Sequence, residues 1–442
     1  MSALGVFILL FIIAFLFFWE RALWLWYAFV FLGPFTGLIL NFNQLSWAKD
    51  LPYIGNINAP YVDFLALFLL ILVGARIATR VLKGSFTPFA ELRAIGWYFF
   101  LPFLFVAFIS IIQVDPEVRA NAFKYFLRPI LFFYLVWIVL PSWIITSKRV
   151  LKNSIVLFLS TGIIAALMGL FSLFFKEAAF GFLTRVTPLG WGSFYPFGWN
   201  QNLLAEVLVA AIPLAAYCMW RTERVAARKW YFVSFILMLA AALLTFSRAA
   251  WIALIIEGAI YMFFYKKISR VAFLRIVGAT LVVISPLVVY MAVFIRSPIV
   301  ISSNATRFDI TGIAWSAFKA HPLLGNGVGS FVPLVEETRV FGVEYGDPLD
   351  AHGVFQKLIA EVGLFGTLAF IVFVWWCVAR LWKAWVLRDP RSASRAMLFC
   401  LFLSASGSFV FQLFNTSYYG VHLWLPVGLA LAAARLFESS SL

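Results

Sequence analysis

The chain predicts an all-α polytopic membrane bundle of about 12–13 transmembrane helices, with a long outer-face loop carrying amphipathic helices. Three observations predict it. Of 442 residues, 64% are hydrophobic and only 12% charged, roughly half the charged share of an ordinary soluble domain. Apolar runs recur from residue 3 to residue 437, each near the ~20 residues that cross a hydrocarbon core at 1.5 Å rise per residue. Lys and Arg gather in alternate short loops, as they do on the cytoplasmic side of membrane proteins.

The runs lie near 3–18, 22–40, 61–79, 94–112, 130–146, 154–175, 202–220, 230–246, 249–265, 272–295, 353–379, 397–414 and 421–437. Only "WERA" separates the first two, so the count turns on whether they are two full spans. The first run has neither a basic n-region nor a small-residue cleavage site and is expected to stay in place. One transmembrane domain over 1–442 leaves no room for a second, soluble one.

The loops at 76–93, 148–152, 221–229, 266–275 and 380–395 hold 20 of the 34 Lys and Arg residues and are therefore expected inside, with the C-terminus. Segments 41–60, 113–129, 176–201 and 296–352 are then outside. The formal charge of +15 is on this reading topological, and no nucleic-acid partner is expected. Cys218, Cys377 and Cys400 lie in or beside apolar runs without CxxC spacing and read as small core residues.

Segment 296–352 far exceeds the ~15 residues beyond which loops usually do something. In "ATRFDITGIAWSAFKAH", Ile310, Ile313, Ala314, Ala317 and Phe318 recur at helical spacing, which predicts an amphipathic helix near the outer interface, with Asn304 or Thr306 as its N-cap. "HPLLGNGVGS" has the look of a phosphate loop but lacks the preceding strand and the GK[ST] ending. A tight turn is the better reading, with His321 closing the helix before Pro322.

Several polar residues stand out against this apolar background. "LLTFSRAAW" sets Arg248 between two apolar runs, either as a snorkelling anchor or, because the connection is so short, as an arginine pointing into the bundle. Arg307 in "SNATRFDIT" is either a solvated, locally paired arginine or a ligand-holding one. "DPLDAHGVFQKLIAEVGLFG" (347–366) puts Asp350, His352, Gln356, Lys357 and Glu361 at the mouth of an apolar helix. A neighbouring carboxylate there would raise the basicity of His352 and set its tautomer. Gln356 falls one turn below His352, and Lys357 stands i, i+4 from Glu361. His352 is then an interfacial cap or the wall of a polar pocket, and its neighbours favour the pocket. Near Asn200, the aromatics Trp191, Tyr195 and Trp199 fit an aromatic belt and would equally suit sugar rings.

Taken in order, "LLTFSRAAW", "TRFDITGIAWSAFKAHPLLGNGVGSF" and "AHGVFQKLIAEVGLFG" resemble the core of the bacterial O-antigen ligase and polymerase superfamily, over roughly 195–370, with an N-x-N-x-x-A-like helix opening at Asn200. The resemblance implies a membrane glycosyltransferase of the GT-C type. It would take a glycan from an undecaprenyl-diphosphate carrier and place it on an acceptor hydroxyl, lipid A-core foremost. It would act at the periplasmic face of the bacterial cytoplasmic membrane, among membrane lipids. Arg248 and Arg307 then match the arginines that hold the diphosphate, and His352 matches the catalytic histidine. Asp350, Gln356, Asn200 and Asp309 are the candidates to support them.

The chemistry agrees with that carry-over. Fixed guanidiniums stabilise a diphosphate leaving group as its charge grows, and a neutral imidazole can take the proton of an attacking hydroxyl. Two arginines would replace a metal ion, so no cofactor or metal is expected; Glu344, Asp347, Asp350 and His352 are the one set that could compose a metal site. Direct attack would invert the anomeric centre. A polymerase of the same fold would differ only in acceptor. A lipid-linked oligosaccharide flippase would carry polar residues through the midplane, where Glu257 is the main one here.

Overall fold

The computed structural model describes residues 12–41, 58–84, 95–175, 185–192, 194–266, 298–338, 349–415 and 420–439, with Val271, Arg275 and Phe341 as single positions. The run predicted at 272–295 and residues 3–11 of the first run lie outside the described residues.

The chain is an all-α polytopic bundle; among the described residues, 8 helices are long and apolar enough to cross a membrane. Its opening departs from expectation. Helix α1 (Ile12–Trp19) meets α2 (Ala22–Leu32) at a bend of 101°. The 11 residues of α2 rise roughly 16 Å, about half a hydrocarbon core. Gly33 and Pro34 close the helix, and Ile39–Asn41 (β1) pairs antiparallel with Asn58–Pro60 (β2). Residues 22–40 are therefore not one continuous helical span.

The next runs become α3 (Tyr61–Leu82), α4 (Trp97–Ser110), α5 (Arg119–Ile144), α6 (Lys148–Phe171), α7 (Gln201–Arg221), α8 (Val225–Leu244) and α9 (Arg248–Ile260). Pro129 lacks a backbone donor, and α5 takes wider π-helical turns at Phe126–Phe132 and Leu135–Val139. After the outer loop come α10 (Pro298–Ala320), α11 (Phe331–Glu336), α12 (Val354–Val386), α13 (Ala393–Gln412) and α14 (Val421–Ser439).

Lipid tails are as apolar as leucine, so helices in a bilayer are held by close packing rather than by expulsion of water. The buried helix α7 shows this: it packs against α6, α8 and α13 through Ala210, Ala211 and Ala215. A Cβ on Gly162 of α6 would come within 2.4 Å of the Ala211 methyl.

Two features shape the outer end. Helix α10 begins at Pro298, upstream of Asn304 and Thr306, so both lie inside the helix and neither caps it. Its apolar stripe of Ile310, Ala314 and Ala317 packs with Phe331 and Val335 of α11 and Ala360 of α12, leaving Phe308 and Trp315 exposed.

The second feature is a break. At 33 residues, α12 is roughly 50 Å long, well beyond a hydrocarbon core, and it is interrupted at Gly363 (φ 61°, ψ −161°). Segment 322–327 fills the interruption. The amides of Asn326 and Gly327 donate to the carbonyls of Ala360 and Glu361, both at 2.9 Å, while Leu364 and Phe365 donate to Pro322 and Leu323 at 2.9 and 3.2 Å. The Asn326 side-chain amide adds bonds to the carbonyls of Ala317 (2.9 Å) and Ala360 (3.0 Å). The glycine-rich stretch is a turn, as expected, and its task is to satisfy a broken helix. A Cβ at Gly363 would stand 2.5 Å from the amide nitrogen of Gly325, and positive φ adds strain of order 1–3 kcal/mol. Gly363→Ala is expected to destabilise the protein by at least about 2 kcal/mol; an unchanged thermal midpoint in detergent would contradict this.

Candidate functional site

The site is assembled where α9 begins, along one face of α10, and where the chain enters α12. Arg248 opens α9 directly after a tight turn from α8 in which Phe246 takes φ 55°, an unfavoured conformation for a side chain of that size. The Trp251 indole N–H donates to the Leu243 carbonyl at 3.1 Å and holds that turn. The exposed Arg248 guanidinium donates to Asn304 Oδ1 of α10 at 3.1 Å. It reaches across to a neighbouring helix.

Asn304, Arg307 and Thr311 follow at helical spacing and share a face of α10. Arg307 is half-buried, and its proton affinity is pushed down first by burial and then by the adjacent Arg248 charge. The Thr311 hydroxyl donates to the Arg307 carbonyl at 2.7 Å and accepts from Gln356 Nε2 at 2.8 Å. Gln356 Oε1 in turn accepts the backbone amide of His352 at 3.1 Å. One chain of bonds thus runs from α10 to the backbone of His352.

His352 is half-buried at the mouth of α12. Its imidazole pKa is pushed below the ordinary 6.5, first by burial and then by the Arg307 charge, against an opposing pull from Asp350. The expected gain in basicity is therefore reversed. Burial and Arg307 outweigh Asp350, whose carboxylate also accepts from Lys357 Nζ at 2.6 and 2.8 Å. Lys357 stands 3.9 Å from Glu361, so the anticipated i, i+4 pair is the lesser of its two contacts.

Arg248, Arg307 and the segment that holds Asp350, His352 and Gln356, far apart in sequence, are thus brought together. Two further candidates belong to other parts of the outer end. Asn200 caps α7, its Oδ1 accepting the Asn202 amide at 2.9 Å. Asp309 lies two residues past Arg307, a rotation of about 200° around the helix, and lines a different groove with Phe308, Gly312 and Glu337. Asn304 and Thr311 were missed as site residues, although their spacing around Arg307 already marked a polar stripe. Tyr195 and Trp199 lie with ring centroids 4.1 Å apart, and Trp199 is exposed, at the head of α7.

Chemically, this arrangement offers two adjacent guanidiniums for an anion and an imidazole held in its neutral form for a proton. Glu344 and Asp347 lie outside the described residues; among those described, no three His, Cys, Asp or Glu side chains converge to hold a metal ion. Gln356→Ala is expected to speed hydrogen exchange at the His352 amide roughly fivefold, the equivalent of one net hydrogen bond of about 1 kcal/mol. Exchange unchanged at that amide would show that the Gln356 bond does not restrain it.

Residues 233–371 match the family model described as O-antigen ligase, and no curated protein matches the chain. The match contains Arg248, Arg307, the 322–327 turn, His352 and Gly363. Within a multi-pass helix bundle, residues 233–371 thus form an O-antigen ligase-like segment, which supports the resemblance to the O-antigen ligase and polymerase superfamily.

Proposed function

We propose that the protein is an O-antigen ligase-like glycosyltransferase, which moves a glycan from an undecaprenyl-diphosphate carrier to an acceptor hydroxyl, lipid A-core foremost, at the periplasmic face of the cytoplasmic membrane. The observation that carries this reading is the meeting of Arg248, Arg307 and His352 on three separate elements inside the matched segment.

Arg248 and Arg307 bind the donor diphosphate. Two like charges held side by side are unfavourable until an anion lies between them, and they are most stabilising in the transition state, when the glycosidic C–O bond breaks and its electron pair goes to the diphosphate oxygen. His352 accepts the proton of the acceptor hydroxyl as that oxygen attacks the anomeric carbon. The proton leaves with the imidazole and the negative charge with the polyprenyl diphosphate, so the step balances without a metal ion. Attack opposite the leaving group inverts the anomeric centre. Gln356 holds the backbone of the base in register with α10, so that proton acceptor and phosphate ligands keep a fixed spacing.

Single replacement of Arg248, Arg307 or His352 by alanine is expected to lower transfer at least about 100-fold in a correctly inserted protein. Transfer from purified undecaprenyl-diphosphate glycan, with chelator present, checks this; undiminished turnover in all three variants would refute the assignment. Because the base must be unprotonated, and burial and Arg307 lower its pKa, kcat/KM should rise with pH to a plateau whose acid midpoint lies below 6.5. A midpoint above that value would contradict a base held neutral by this site. A single-addition product, as opposed to a ladder of repeats, would mark a ligase.

A further inference from the structure

Behind His352 lies a charged cluster that the proposed transfer step does not use. Lys357 is 1% exposed, an unusual state for a lysine at the mouth of a membrane helix. Its ammonium binds both oxygens of Asp350 (2.6 and 2.8 Å), stands 3.9 Å from Glu361 Oε1 and lies 5.3 Å from the centre of the Tyr125 ring of α5. Glu361 is equally buried and accepts the backbone amide of Phe331, at 3.4 Å, from the head of α11. Asp350 Oδ1 also accepts the Ala351 amide at 2.8 Å.

The short strap 350–353 is therefore pinned at two points: at Asp350 by Lys357, and at the His352 amide by Gln356. The charged groups that act on the imidazole are Arg307 on α10 and Asp350 on the strap; Arg248 on α9 stands beside Arg307, and Lys357 on α12 joins Asp350 to Glu361. Of these, Asp350 is the carboxylate that would draw a proton onto His352, and Lys357 neutralises it.

We infer that Lys357 is a positioning residue for His352: its buried ion pair with Asp350 fixes the strap and shields the imidazole from the carboxylate charge. As a deepening of the proposed function, this rests on His352 being the base, for which a neutral ring is the working form. Arg307 and Lys357 then act in the same direction, one facing the imidazole directly and the other through Asp350. A lysine is suited to the task because a compact ammonium can saturate one carboxylate and still lie against an aromatic face.

The test is a titration of His352 in the full-length protein in lipid nanodiscs. Of the two imidazole forms, diethyl pyrocarbonate modifies only the unprotonated one, and mass spectrometry of the His352 peptide follows modification against pH, with the exposed His321 as internal reference. Lys357→Met leaves Asp350 unscreened, so the His352 midpoint should move up by about half a pH unit or more; Asp350→Asn should move it down. The double variant should return close to wild type, because it removes both charges. If Lys357→Met fails to fold, the fall in Asp350→Asn and the recovery in the double variant decide the matter. Midpoints that stay at the wild-type value, or move in the same direction in both single variants, would overturn the inference. Transfer assays separate the two levels. In Lys357→Met the acid midpoint of kcat/KM should follow the His352 titration, whereas activity surviving in His352→Ala would remove the base while leaving the measured coupling to Lys357 intact.

Discussion

The interruption of α12 at Gly363 is the constraint on which the outer end of the molecule depends. An interrupted helix leaves backbone amides and carbonyls without partners, and at the edge of a bilayer each such group is costly. Here segment 322–327 supplies them, bonding to Ala360 and Glu361 on one side of the break and to Leu364 and Phe365 on the other. Such a close approach needs Gly325 and Gly363 to face each other without side chains. Once the turn is docked, the C-terminal end of α10 is tied to α12, which brings the polar face of α10 within reach of Gln356. Backbone satisfaction, rather than any attraction between the functional side chains, sets where Arg307 and His352 meet.

The electrostatics of the site follow from that placement. Arg248 and Arg307 are like charges held near each other, and the half-buried Arg307 feels both its neighbour and its loss of water. A fold left to minimise its own energy would separate them. On the proposed function, a dianionic diphosphate between them would relieve that repulsion. Asp350 opposes the effect of Arg307 on His352 and is itself paired with buried Lys357. Asp350 thus joins the strap to α12 through Lys357, and the proposed role of phosphate ligand is carried by Arg248 and Arg307 alone.

Much of this was legible in the sequence, for definable reasons. Helical runs such as 61–79 and 421–437 were found within a few residues because apolar length alone marks a span. The pairing of His352 with Gln356 follows from one turn of helix. The stretch 22–40 misled because its composition stays apolar through Gly33 and Pro34, which end the helix halfway. Asn304 and Thr306 looked like caps because the helix signal strengthens after them, whereas α10 begins six residues earlier than Asn304, at Pro298. The i, i+4 spacing of Lys357 and Glu361 marked a pair that does form, at 3.9 Å, whereas only the folded strap brings Asp350 closer still. The break at Gly363 had no local signature, since a lone glycine inside "EVGLFG" is ordinary in a membrane helix. Its meaning lies in the pairing with a turn some 40 residues upstream.

The central claim is that two arginines from separate elements serve one diphosphate beside His352. The most direct test is the affinity of undecaprenyl diphosphate for the protein in nanodiscs, measured for wild type, Arg248→Ala, Arg307→Ala and the double variant. If both side chains hold one ligand group, each single change should weaken binding and their effects should be coupled by about 1 kcal/mol or more. Strictly additive losses, or binding indifferent to either arginine, would mean that the diphosphate does not lie between them.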